Sequence, residues 1–311
     1  MAILEFRSTD AGAPVLNNGL ACMIALLDAC LVTGYGSKAA AGWAKAFAGA
    51  SLAAYRAPAG NRLYLRIDDT GAVGNAATTS ARAMGYGTLS DVSTGTNPFP
   101  TTAQTSGGFH IPKTLTASAA TARPWRLYAD DRRFYLIVEP NSAAAELGSQ
   151  STTDGRMRAV FFGDFISLAA SDPSSTILLA DSSNGTGSGI VSSFGQANGA
   201  LSTTRARVAR NYGGTLSDAV TVSSAAHVTD SGTVTEGGLY PGACTDELNL
   251  FPIWVRDNGC LRGRLPGLYA LDQALPEAAC SEFVQGGVTY LFVDNAGVGS
   301  RCALQISGSW T

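Results

Sequence analysis

The chain has 311 residues, enough for one large domain or two ordinary ones with a sizeable core. Only 14% of them are charged and the formal net charge is −3, which excludes a nucleic-acid binder that works through a clustered basic face. So little charge per unit surface points to surface buried against neighbouring subunits in a large assembly.

In chain order, Ile3 to Phe6 reads as a short strand. Leu20 to Val32 reads as a buried helix, with Leu20, Ile24, Leu27 and Leu31 at helical spacing and Asn17 or Asn18 as its cap. The apolar "GLACMIALLDACLV" contains Asp28 and is shorter than the ~20 residues a bilayer requires, so no membrane insertion is expected. Synthesis and folding in the cytoplasm are expected from that reading. Gly34 and Gly36 stop the helix where positive φ is needed.

The alanine-rich segment that follows favours helix by propensity. Gly42, Gly49 and Gly60 cut it into short pieces, and "RLYLRIDD" alternates, so a run of short strands is expected. Trp125 to Val138 is the clearest hairpin, turning at Asp130-Asp131, and "RAVFFGDFISL" supplies a further strand. "RARVAR" (Arg205 to Arg210) reads as a strand with one basic face. Ser, Gly, Thr and Ala then dominate from Ala169 to about Gly238, and strand alternation resumes from Leu250 to Trp310. The fold class is therefore α+β and β-rich, with antiparallel strands, one N-terminal buried helix and a smaller C-terminal β module. The divisions are 1–170, a Ser/Gly/Thr-rich region at 171–240, and 241–311.

Chemistry-bearing patterns are few. "LVTGYGSK" has the glycines of a phosphate loop, but the order Gly-Ser-Lys and the helix before it are wrong for one. His110 and His227 lie far apart and near no motif nucleophile. The pairs Asp68-Asp69 and Asp130-Asp131 sit at strand ends, where aspartate satisfies turn amides. "DSSNGTGSG" from Asp181 opens like a calcium loop, yet its twelfth position is Ser192 rather than the bidentate glutamate. Six cysteines occur without a C-x-x-C pair, so structural zinc is not expected; free thiols and one or two C-terminal disulfides both fit. No catalytic residue, cofactor or metal site is assigned. Trp43, Trp254 and Trp310 are the candidate partner-contact aromatics, because exposed aromatics anchor interfaces or stack on sugars.

The segments "FRSTDAGAPVLNNG", "MIALLDACLVTGYGSKAAAGW", "RLYLRIDD", "ARAMGYGTLSDVSTGTNPFP", "WRLYADDRRFYLIV" and "FFGDFISL" occur in that order. Together with "GRLPGLY" and the terminal "SGSW", they resemble a family of tailed-bacteriophage and prophage proteins placed among tail genes. The likeness covers roughly residues 1–170 and carries no catalytic residues. It implies a non-enzymatic structural protein of the virion tail tip or baseplate, whose partners are copies of itself and other tail proteins. The alternative it leaves open is a receptor-binding module of the tail tip that contacts host surface glycan or pilus.

Overall fold

The computed structural model describes residues 1–71, 80–113, 122–139, 157–180, 206–224, 248–257, 260–275, 280–294 and 300–310. Strand β1 (Leu4–Arg7) precedes helix α1 (Cys22–Leu27), which widens into a π-helical turn over Asp28–Thr33. Then come β2 (Ala44–Gly49), β3 (Leu52–Arg56), β4 (Tyr64–Asp68), β5 (Ser80–Leu89), β6 (Gly95–Phe99) and β7 (Phe109–Pro112). The middle of the chain supplies β8 (Trp125–Ala129), β9 (Arg133–Val138), β10 (Arg158–Asp164), β11 (Ile166–Ser167), β12 (Thr176–Leu179), β13 (Ala206–Arg210) and β14 (Leu216–Ala219). The last strands are β15 (Thr221–Ser224), β16 (Leu250–Asp257), β17 (Cys260–Leu275), β18 (Glu282–Gln285), β19 (Val288–Asp294) and β20 (Ser300–Gln305).

These strands form three sheets, and every strand pairing among the described residues is antiparallel. Sheet I runs β1-β8-β9-β10-β12-β13-β14. Sheet II runs β2-β3-β4-β5-β6, with β7 also on β5. Sheet III runs β15-β16-β17-β20-β19-β18, with β11 also on β17. The fold is thus β-rich and antiparallel, with a single short helix among the described residues.

The helix is shorter than its periodicity suggests. Leu20 lies outside it and is 58% exposed, while Ile24, Leu27 and Leu31 are buried. Asn17 accepts from the Gly19 amide instead of capping the helix, and Ala21 stands at the N-cap with φ 59°. The side chain that bonds the free Met23 amide is Asp69, from beyond the end of β4. A six-residue helix needs tertiary help of this kind, since isolated short helices are marginal.

β9 is buried at all six positions because sheet I is covered on both faces. On one face Phe134 and Phe162 pack with Trp43, which enters sheet II; on the other Tyr135 and Phe161 pack together, and Trp310 sits edge-on to Tyr135. The Tyr135 hydroxyl donates to the Pro266 carbonyl of β17 at 2.9 Å, tying sheet I to sheet III. One continuous apolar core gathers side chains from α1 and all three sheets. Sheet membership changes between Ala219 and Thr221, and β11 leaves the line of β10 at Phe165 to join β17. "DSSNGTGSG", His227 and Cys244 lie outside the described residues; Cys22, Cys30 and Cys260 stand as thiols.

Candidate functional site

The glycine-rich turn after the helix fastens the chain to β1. Gly34 has φ 79° and Gly36 φ 53°, and a Cβ on Gly36 would run into the Ala11 carbonyl oxygen. The Tyr35 hydroxyl donates to Asp10 Oδ2 at 2.9 Å, and Lys38 Nζ donates to the Glu5 carbonyl at 3.0 Å. The lysine that would hold a phosphate therefore clasps the β1 turn. Gly36→Val should destabilise the protein by at least about 1–3 kcal/mol, through strain at a left-handed position and the Ala11 clash. A denaturant midpoint unchanged by this substitution would contradict the clasp.

Asp10 also accepts from the Arg7 amide at 2.9 Å. Partial burial pushes its carboxyl up, but the Arg7 amide, the Tyr35 hydroxyl and the Lys38 charge outweigh that and hold it below the ordinary 3.8. His110 moves the other way from its own ordinary value: burial, then the Arg82 charge, push it from 6.5 down to about 3. Its Nδ1 lies 2.8 Å from Ser80 Oγ, a hydrogen bond whose direction follows the tautomer of the neutral ring. Both residues are buried, so this serine–histidine pair sits within sheet II. The unfolded chain binds a proton at His110 below pH 6.5 that the folded chain refuses until about 3. Stability should accordingly fall as pH drops through that window, and His110→Phe should flatten the fall. Equal slopes for the two proteins in urea titrations between pH 4 and 6.5 would count against it.

Three of the four paired aspartates, Asp68, Asp69 and Asp130, have their carboxylates engaged internally. Asp68 pairs with Arg66 at 3.1 Å and accepts from Thr70. Asp69 and Lys113 are both fully buried and ion-paired, and Lys113 also donates to the Gly19 carbonyl at 2.7 Å. Burial pushes the Asp69 carboxyl above its ordinary value, against the pull of Lys113 and the Met23 amide. Asp130 accepts from the Arg132 and Arg133 amides at 2.8 and 2.9 Å, as an aspartate at a hairpin turn does.

The residues that stand apart lie where the three sheets meet. A cleft of about 420 Å³ opens there. The loop between β3 and β4 contributes Gly60 and Asn61, and the turn between β8 and β9 contributes Arg132 and Arg133. Asp164 and Phe165 come from the corner where the chain crosses from β10 to β11, and Trp310 closes one side. Asp164 accepts the Thr176 hydroxyl and the Asn61 amide, the latter at 2.7 Å. Burial raises its carboxyl above 3.8, with those two bonds and the Arg133 and Arg132 charges opposing the rise. Asp172, which also lines the cleft, is gripped by Arg262 Nε at 3.2 Å and Nη2 at 3.3 Å.

The three tryptophans separate. Trp43 is 3% exposed and its indole N–H donates to the Asp130 carbonyl, so it belongs to the core and offers no partner surface. Trp254 is half-buried on β16. Trp310 is 5% exposed, donates to the Gln305 carbonyl and lines the cleft. Asn61, Lys113, Asp164 and Arg262 were not singled out by sequence reasoning. For Asp164 and Arg262 the signal is a charged side chain at a buried position of a strand run, as in "FFGDF" and "CLRGRLPG"; Asn61 and Lys113 lie outside the strands and carry no such signal.

Among the described residues no cluster of three His, Cys, Asp or Glu side chains could hold a metal, and no helix is long and apolar enough to cross a membrane. No protein-family model matches the chain, and no curated protein does.

Proposed function

We propose that the protein is a non-enzymatic structural component of a bacteriophage virion tail, built into the tail tip or baseplate and held by copies of itself and other tail proteins. The observation that carries this reading is the use to which the family-like segments are put. "FRSTDAGAP" and "GYGSK" meet through Asp10, Tyr35 and Lys38, and Trp125 of "WRLYADD" donates its indole N–H to the Pro14 carbonyl at 3.1 Å. The motifs thus build a frame, in which the carboxylates of Asp10, Asp28, Asp68, Asp69 and Asp130 bond neighbouring amides and cations. Mass spectrometry of purified particles, with tails separated from capsids, tests the proposal. The chain should follow the tail fraction; its presence in capsids alone, or its absence from particles, would overturn the assignment.

A second reading, a receptor-binding module of the tail tip that contacts host surface glycan or pilus, is favoured by the open cleft at the junction of the sheets.

A further inference from the structure

The cleft walls can be sorted by which polar atoms are already engaged. Asp172 is full: Oδ1 accepts from the Ser174 amide and Arg262 Nη2, and Oδ2 accepts from the Ser167 hydroxyl and Arg262 Nε. The Ser175 hydroxyl donates to the Asp172 carbonyl at 3.1 Å. Asp164 differs, because each of its oxygens takes one bond in the fold and retains a second lone pair. Asn61 donates through Nδ2 to Ser175 and Thr176, which leaves its Oδ1 as an acceptor. Arg132 is exposed at the rim, and its guanidinium enters none of the hydrogen bonds or ion pairs among the described residues. Phe165 and Trp310 add apolar wall.

A ligand for this set must donate to Asp164 and Asn61 and accept from Arg132 within a short span. A simple anion would meet Arg132 but also the Asp164 carboxylate, and a simple cation would meet Arg132 and Arg133. Hydroxyl groups do both jobs without a net charge. The volume falls within the ~300–1,000 Å³ of small-molecule sites, and a few convergent polar groups on a partly aromatic wall is their usual make-up. We propose that the cleft binds a neutral saccharide, with Arg132, Asn61 and Asp164 as the polar contacts and Phe165 and Trp310 as the apolar wall. The site deepens the second reading above but depends only on the cleft.

Saturation-transfer NMR titrations of the full chain with glucose, galactose, mannose and N-acetylglucosamine test it, with inorganic phosphate and Mg²⁺ as ionic probes. At least one sugar should saturate, and Arg132→Ala should weaken it about tenfold, as losing a charged hydrogen-bond donor does. Because Arg132 is exposed, this variant should melt like the parent; Trp310→Phe, checked for the same melting, should weaken the same sugar. Saturation by none of the four sugars, equal affinity in Arg132→Ala, or saturation by phosphate or Mg²⁺ instead would overturn the proposal. A chain found in tails whose cleft binds no sugar would sink the cleft and leave the tail reading standing. Sugar binding by a chain absent from particles would do the reverse.

Discussion

Asp69→Ala is expected to destabilise the fold by about 3–5 kcal/mol, because it leaves the Lys113 ammonium buried without a counter-charge. Both side chains have no exposed surface, so water cannot take over the pairing. The same substitution removes the acceptor for the Met23 amide at the start of α1. The control is a double replacement. Asp69→Leu with Lys113→Met removes both charges and fills similar volume, and such exchanges are often neutral or stabilising. It should therefore recover most of the loss, less the bond to Met23. A double variant as unstable as Asp69→Ala would show that the cost comes from packing or the helix start, not from the orphaned charge.

Arg262 carries the second large effect. It is 1% exposed, and its five N–H groups reach Asp172, Asp257 and the carbonyls of Arg210 and Ser174, while its guanidinium lies 4.8 Å from the Tyr212 ring centre. Arg262→Met should cost about 3–5 kcal/mol, since two carboxylates lose their common partner. Lysine should restore only part of it, because an ammonium offers three donors and no fork. A lower denaturant midpoint with an unchanged slope is the expected signature. Full rescue by lysine would mean that charge alone matters at this position.

What could be read from the sequence follows the range of the interaction involved. The Trp125–Val138 hairpin was legible because its turn aspartate and both alternating strands lie within one short segment. The exit at Gly34 was legible for the same reason, since a left-handed glycine ends a helix locally. The helix start was not. Asn17 or Asn18 looked like the cap, but the bond comes from Asp69, far along the chain, and no local pattern announces it. The α+β reading gave the helix too much weight because apolar spacing continues to Leu31 after the ladder has widened at Asp28.

The cleft was least legible. It assembles from Asn61, Arg132, Asp164 and Trp310, which lie far apart in the sequence in loops and at strand ends of all three sheets. Spacing along the chain holds no trace of that convergence. Aromatic content pointed to Trp43 and Trp310 as surface contacts, yet both lie against the faces of sheet I, where large rings fill the space between sheets.

Electron cryomicroscopy of the intact virion, at a resolution that shows strands, tests the central claim most directly. The account predicts density for the three antiparallel sheets in repeated copies at the tail tip or baseplate, with neighbouring subunits covering part of its sparsely charged surface. Tail-tip and baseplate density fully accounted for by other chains would contradict it.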